Sequence, residues 1–167
     1  MGNKNKRQKG FTLIELLVVV AIIALLTSIA LIALVSARQK SRNTKRLSDM
    51  VQMLNGLELF NAHNKGYPAD SDANGIPDAL SPTFAATIPT APLPPDSIVC
   101  ETNYSPCGAV NQPACVTSNT YWYVPLGTSQ VVNGLTVYPD FDYYFCLGDQ
   151  TGNFAAGVRT LTPQGVR

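Results

Sequence analysis

Apolar and polar positions divide this chain into unequal stretches. After a short polar start, every residue from Leu16 to Leu26 is apolar, and the apolar character runs on to Val35 with only Thr27 and Ser28 interrupting it. Phe11 to Val35 would make about 37 Å of helix at ~1.5 Å per residue, enough to cross a hydrocarbon core of ~30 Å. A secretory signal peptide has a shorter apolar run, followed by a small-residue cleavage site. Here Ser36-Ala37-Arg38 leads into charged, helix-forming sequence, so a retained membrane helix is expected.

The pattern then changes period without a break. Leu47, Met50, Val51, Leu54, Leu57 and Phe60 recur at spacings of three and four, the mark of one amphipathic helix face. Gly66 is a suitable stop, and Tyr67-Pro68 prevents continuation. Residues 69–118 hold eight of the twelve prolines, too many for long regular elements. From residue 119 the chain is rich in β-formers: Thr120 to Pro125, Val131 to Tyr138, Tyr143 to Leu147 and Ala155 to Leu161. Turns fall at Gly127, Asn133-Gly134 and Gly152-Asn153, and the last two strands read as a hairpin. The expected class is α+β: a long N-terminal helix, half transmembrane and half amphipathic, packed on a small antiparallel sheet of three to four strands. The expected parts are residues 1–10 (a basic leader), 11–35 (the membrane helix), 36–66 (its amphipathic continuation), 67–118 (a Pro-rich loop) and 119–167 (the sheet). Trp122 and the tyrosines belong to core and strand pairs.

Charge sharpens this division. Charged residues are 14% of the chain, against about 25% in ordinary soluble domains. Lys4, Lys6, Arg7 and Lys9 crowd the leader; Arg38, Lys40, Arg42, Lys45 and Arg46 follow the apolar run. The rest, from residue 64 on, is acidic overall, so nucleic-acid binding is not expected. The basic group from Arg38 to Arg46 reads either as a solvated face or as a partner for acidic patches on adjacent subunits. His63 stands alone and reads as a surface residue.

Glu15 does not suit a plain anchor, because a carboxylate deep in a bilayer costs roughly 2.5–3.5 kcal/mol. Either it lies near the helix start and reaches the interface, or it meets a positive charge in an assembly. Lys9-Gly10-Phe11-Thr12-Leu13-Ile14-Glu15-Leu16 resembles the type IV prepilin signature almost letter for letter. The resemblance is specific over residues 7–35 and weaker to about Pro68. Ser36 to Arg42, Lys45 to Asp49 and Gly66-Tyr67-Pro68 look most like the major pseudopilin of type II secretion. That resemblance implies cleavage by a prepilin peptidase between Gly10 and Phe11, N-methylation of Phe11, and pairing of Glu15 with the Phe11 amine of a neighbour during self-assembly into a helical filament. It implies an inner-membrane assembly platform and minor pseudopilins as further partners. It also places the leader in the cytoplasm and the body outside the cytoplasmic membrane, which the balance of basic residues alone leaves undecided. Many family members carry a proline in the membrane helix; this chain has none between Phe11 and Tyr67.

Two further features concern sites. Asp70-Ser71-Asp72-Ala73-Asn74-Gly75-Ile76-Pro77-Asp78 matches the first nine positions of a D-x-D-x-[DN]-G calcium loop. Asp70, Asp72, Asn74, the Ile76 carbonyl and Asp78 would be the ligands, and the loop also resembles thrombospondin type 3 repeats. The twelfth position is Ser81 rather than Glu, so the expected affinity is modest, ~10⁻⁴–10⁻³ M. The alternative is an acidic turn with no ion. Major pseudopilins often bind calcium near their C-terminal strands, but Asp149-Gln150-Thr151-Gly152 does not reproduce that acidic loop. Cys100, Cys107, Cys115 and Cys146 lack any C-x-x-C spacing, which argues against zinc and for two disulfides. Of three pairings, Cys100–Cys107 with Cys115–Cys146 is the one expected; buried thiols are the rival.

No nucleophile elbow, phosphate loop or dinucleotide motif is present, and an enzyme is not expected. Three functions remain open. A secretion pseudopilus subunit comes first and a type IV pilin for adhesion, motility or DNA uptake second. The third is a monomeric membrane-anchored module whose binding depends on calcium.

Overall fold

The computed structural model describes residues 11–93 and 120–167. One helix, α1, runs Leu13–Asn64, and seven short strands follow. They are β1 (Tyr67–Pro68), β2 (Trp122–Leu126), β3 (Gln130–Val132), β4 (Leu135–Tyr138), β5 (Asp140–Leu147), β6 (Gly157–Thr162) and β7 (Gly165–Val166). Contacts divide the chain at Arg38 into an N-terminal unit and a body from Gln39 to Arg167.

In the N-terminal unit the helix is unbroken because the sequence offers it no proline and few polar groups to compete for backbone hydrogen bonds. Its apolar side chains are all exposed, from Phe11 at 83% to Leu34 at 45%. Water does not support such a surface on a monomer; a bilayer or a partner does. Thr27 and Ser28 turn their hydroxyls back onto the Ile23 and Leu25 carbonyls, which hides both polar groups.

In the body, α1 presents Met50, Met53, Leu57 and Phe60 to the core, with Leu47 and Leu54 half-buried beside them. Val51, expected on this face, is 57% exposed, and Met53 takes the buried place. Successive residues turn by about 100°, so Val51 lies across the helix from the Met50–Met53–Leu57–Phe60 line. The helix ends at Lys65, which takes the left-handed conformation (φ 58°) and donates its N–H to Asn61. Gly66 serves the neighbouring strand rather than the stop, since a Cβ there would lie 2.8 Å from the Val137 side chain.

The strands form two antiparallel sheets in place of the single one expected: β1–β4–β3 and β2–β5–β6–β7. Tyr67-Pro68 is itself a strand, paired with Val137 and Tyr138. The run from Val131 to Tyr138 is a hairpin, not one strand. Asn133 and Gly134, with φ of 52° and 80°, make the tight turn that joins β3 to β4. β5 is an inner strand of the larger sheet, with Tyr143 opposite both Tyr123 and Leu161. Its alternate residues Phe141, Tyr143, Phe145 and Leu147 are buried, and Phe141 meets the Tyr67 ring edge-on at 4.7 Å.

Candidate functional site: the helix start and the acidic loop

Thr12 and Glu15 close the start of α1 on each other. The Thr12 N–H donates to Glu15 Oε2 at 2.9 Å and the Thr12 hydroxyl to the same oxygen at 2.6 Å. The Glu15 N–H donates back to Thr12 Oγ1 at 3.3 Å. This is a capping box: donors that a helix leaves unpaired at its first turn are satisfied by side chains three residues apart. The T-x-x-E spacing was in the sequence, and that local role for Thr12 was the part overlooked. The carboxylate is thereby held at the helix entrance, one turn from Phe11, where the helix dipole favours a negative charge. Phe11 is exposed there, while Gly10 lies outside the described residues.

Beyond the apolar stretch the basic residues take different roles. Arg46, expected on a basic face, is completely buried. Its guanidinium donates to Asn43 Oδ1 at 2.8 Å and to the Pro92 carbonyl at 3.2 Å. Asn43 in turn bonds the Asp149 carbonyl and the Gly148 N–H, tying α1 to the turn after β5. Lys45 pairs with Asp49 at 3.0 Å, and the Tyr121 hydroxyl donates to the same carboxylate at 2.8 Å. These polar side chains fasten the helix to the body from inside; Arg38 and Lys40 remain exposed. His63 is exposed, with its ring 5.7 Å from Phe84.

The Asp70–Asp78 loop is closed by its own hydrogen bonds. Asp70 accepts the N–H groups of Asn74 (3.0 Å) and Gly75 (2.8 Å). Asp72 accepts from the Asn74 amide at 2.7 Å, and Asp78 from the Ser71 N–H at 2.9 Å. The Ile76 N–H donates to Asn74 Oδ1. Burial pushes the Asp70 carboxyl above its usual range, against the pull of the two N–H donors; the adjacent Asp72 adds to the rise. Gly75 (φ 79°) lies flat on the Trp122 ring, and its carbonyl accepts the Tyr123 N–H at 2.9 Å. The loop is thus anchored to β2. Among the described residues, no three His, Cys, Asp or Glu side chains gather closely enough to hold a metal ion. As arranged, Asp72 and Asp78 serve the loop rather than a common centre.

Cys146, buried on β5, is disulfide-bonded. Cys100, Cys107 and Cys115 lie outside the described residues, and so do the expected pairings.

Residues 5–36 match the prokaryotic N-terminal methylation motif family. The chain is similar to proteins that carry the name type II secretion system core protein G, three of which illustrate the match. The chain is 34% identical over 68 residues to the one from Pectobacterium carotovorum subsp. carotovorum, covering 41% of this chain and 44% of that protein. It is 35% identical over 65 residues to the one from Aeromonas hydrophila, covering 39% and 46%. With the one from Vibrio cholerae serotype O1 it shares 30% identity over 138 residues, which is 82% of this chain and 84% of that protein. The match therefore spans less than half the length of the first two relatives and most of the third. No solved structure matches the chain.

Proposed function

The chain belongs to the type II secretion system core protein G family, the major pseudopilins, and from that premise we propose that it is a structural subunit of a secretion pseudopilus. On this reading a prepilin peptidase cuts after Gly10, Phe11 is methylated, and subunits stored in the cytoplasmic membrane assemble into a helical filament. The leader faces the cytoplasm and the body the other side. An assembly platform and minor pseudopilins are its partners. The subunit catalyses nothing; it works by packing.

One observation carries the proposal. The wholly exposed apolar helix begins at a carboxylate locked in place beside Phe11. Once cleavage frees the Phe11 amine, a neighbour's fixed Glu15 offers it a counter-charge in a setting without water. Losing one partner of such a buried pair typically costs ~3–5 kcal/mol. The test is to produce the chain with its peptidase, assembly platform and minor pseudopilins and look for pelletable filaments by electron microscopy. Filaments from the native chain and none from Gly10→Leu are expected. Filaments from both would remove processing from the pathway.

Calcium at Asp70, Asp72, Asn74, Ile76 and Asp78 is a separate proposal, supported by spacing and by the left-handed Gly75. It requires Asp72 and Asp78 to turn from their present donors toward the ion. Titration calorimetry of the full chain in detergent should give a dissociation constant of ~10⁻⁴–10⁻³ M, abolished by Asp72→Ala. No heat up to about 10 mM calcium would reject it, since saturation is expected well below that concentration. The two disulfides, Cys100–Cys107 and Cys115–Cys146, are likewise proposed and would be read by peptide mapping without reduction.

A further inference from the structure

Between Glu15 and Arg38 the helix carries no charge at all. Leu16 to Ala37 spans about 33 Å at ~1.5 Å per residue, close to the ~30 Å of a hydrocarbon core. Arg38 and Lys40 follow Val35 by about 4.5 and 7.5 Å along the axis. A headgroup layer is roughly 5–7 Å deep, so both cations fall within it or at its edge.

What distinguishes these two from the other basic residues of α1 is that both are exposed and no ion pair among the described residues engages them. Arg46 is buried on Asn43 and Pro92, and Lys45 is engaged by Asp49. Arg42 is half-buried. Arg38 and Lys40 are exposed, and neither makes an ion pair with a described residue. They are two residues apart on a helix, about 200° around its axis, so they face opposite sides. Two cations on opposite sides of a helix, just past a charge-free span of bilayer length, suit the phosphates of surrounding lipids better than a single protein surface.

Resting on the membrane-spanning reading of α1, we propose that Arg38 and Lys40 bind anionic lipid headgroups and set the depth at which the subunit is held before assembly. Each cation near an anionic surface contributes about fivefold in binding, so the pair should favour anionic over zwitterionic lipid by on the order of twentyfold.

The test is native mass spectrometry of the full chain in detergent micelles, titrated with phosphatidylglycerol or with phosphatidylcholine. The native chain should prefer phosphatidylglycerol, and Arg38→Gln/Lys40→Gln should lower that preference about ten- to thirtyfold, leaving only what the leader cations Lys4, Lys6, Arg7 and Lys9 contribute in both proteins. Equal binding of the two lipids by the native chain, or an undiminished preference in the double variant, would overturn the proposal. If the double variant keeps its lipid preference but loses subunit crosslinking, the cations serve an acidic neighbour instead, and the proposal again fails. Extraction of the native chain from membranes by alkaline carbonate would overturn the spanning reading itself and this proposal with it. That outcome is separable, because it is read before any lipid is added.

Discussion

Glu15 has two functions in one side chain, and they can be separated. As the closing residue of a capping box it needs only an acceptor, which Gln also supplies. As the counter-charge for a neighbour's amine it needs the negative charge. Glu15→Gln should therefore keep the helix start intact yet abolish filaments, while Glu15→Ala loses both, the cap being worth about 1 kcal/mol. Circular dichroism in detergent and filament counts give the two readouts. Filaments from Glu15→Gln at the native level would show that the cap alone suffices. Gly75 is the matching case in the body. Its φ of 79° is costly for a residue with a Cβ, and that Cβ would sit 2.6 Å from the Trp122 ring. Gly75→Ala should destabilise the body by about 2–3 kcal/mol, measured by urea unfolding followed through Trp122 fluorescence.

At the scale of elements, the helix was legible almost residue for residue. A long apolar run, the absence of proline and a three-four repeat all pointed the same way from Phe11 to Gly66, and α1 occupies Leu13–Asn64. What periodicity missed was local. It put Val51 in the core because Val is apolar, and it left Arg46 outside because Arg is charged. The structure reverses both, and Asn43 and the Pro92 carbonyl accept hydrogen bonds from the two terminal nitrogens of the buried guanidinium. The strands were legible as β-rich runs, but pairing was not. Nothing in Tyr67-Pro68 announces a strand two residues long; it exists because Gly66 lets β4 come close. The acidic loop was read from spacing alone, which gives the order of oxygen atoms but not their direction. All three of its carboxylates turn out to bond the loop's own N–H groups.

The whole molecule joins a helix that water cannot support to a body held by aromatic packing and a few buried polar bonds. The body should fail at high pH. Burial pushes the Tyr121, Tyr123 and Tyr143 hydroxyls far above their ordinary range, Tyr121 further through its bond to Asp49. Tyr144 is raised to about 12 by burial and by Asp142. Unfolding returns these phenols to ~10. Below that value both states keep their protons and the contribution is complete. Above it the unfolded chain releases protons first, so stability falls as pH rises. Tyrosinate absorbance and loss of structure should therefore appear together above about pH 10, not one before the other.

Everything proposed for the filament depends on a free amine at Phe11. The most direct measurement is the intact mass and N-terminal sequence of the chain taken from its native membrane. A mature chain beginning at N-methylated Phe11 is expected, which places a processed amine one turn from the fixed Glu15. A chain beginning at Met1 would contradict it, because Glu15 would then have no amine to meet and the helix would be only an anchor.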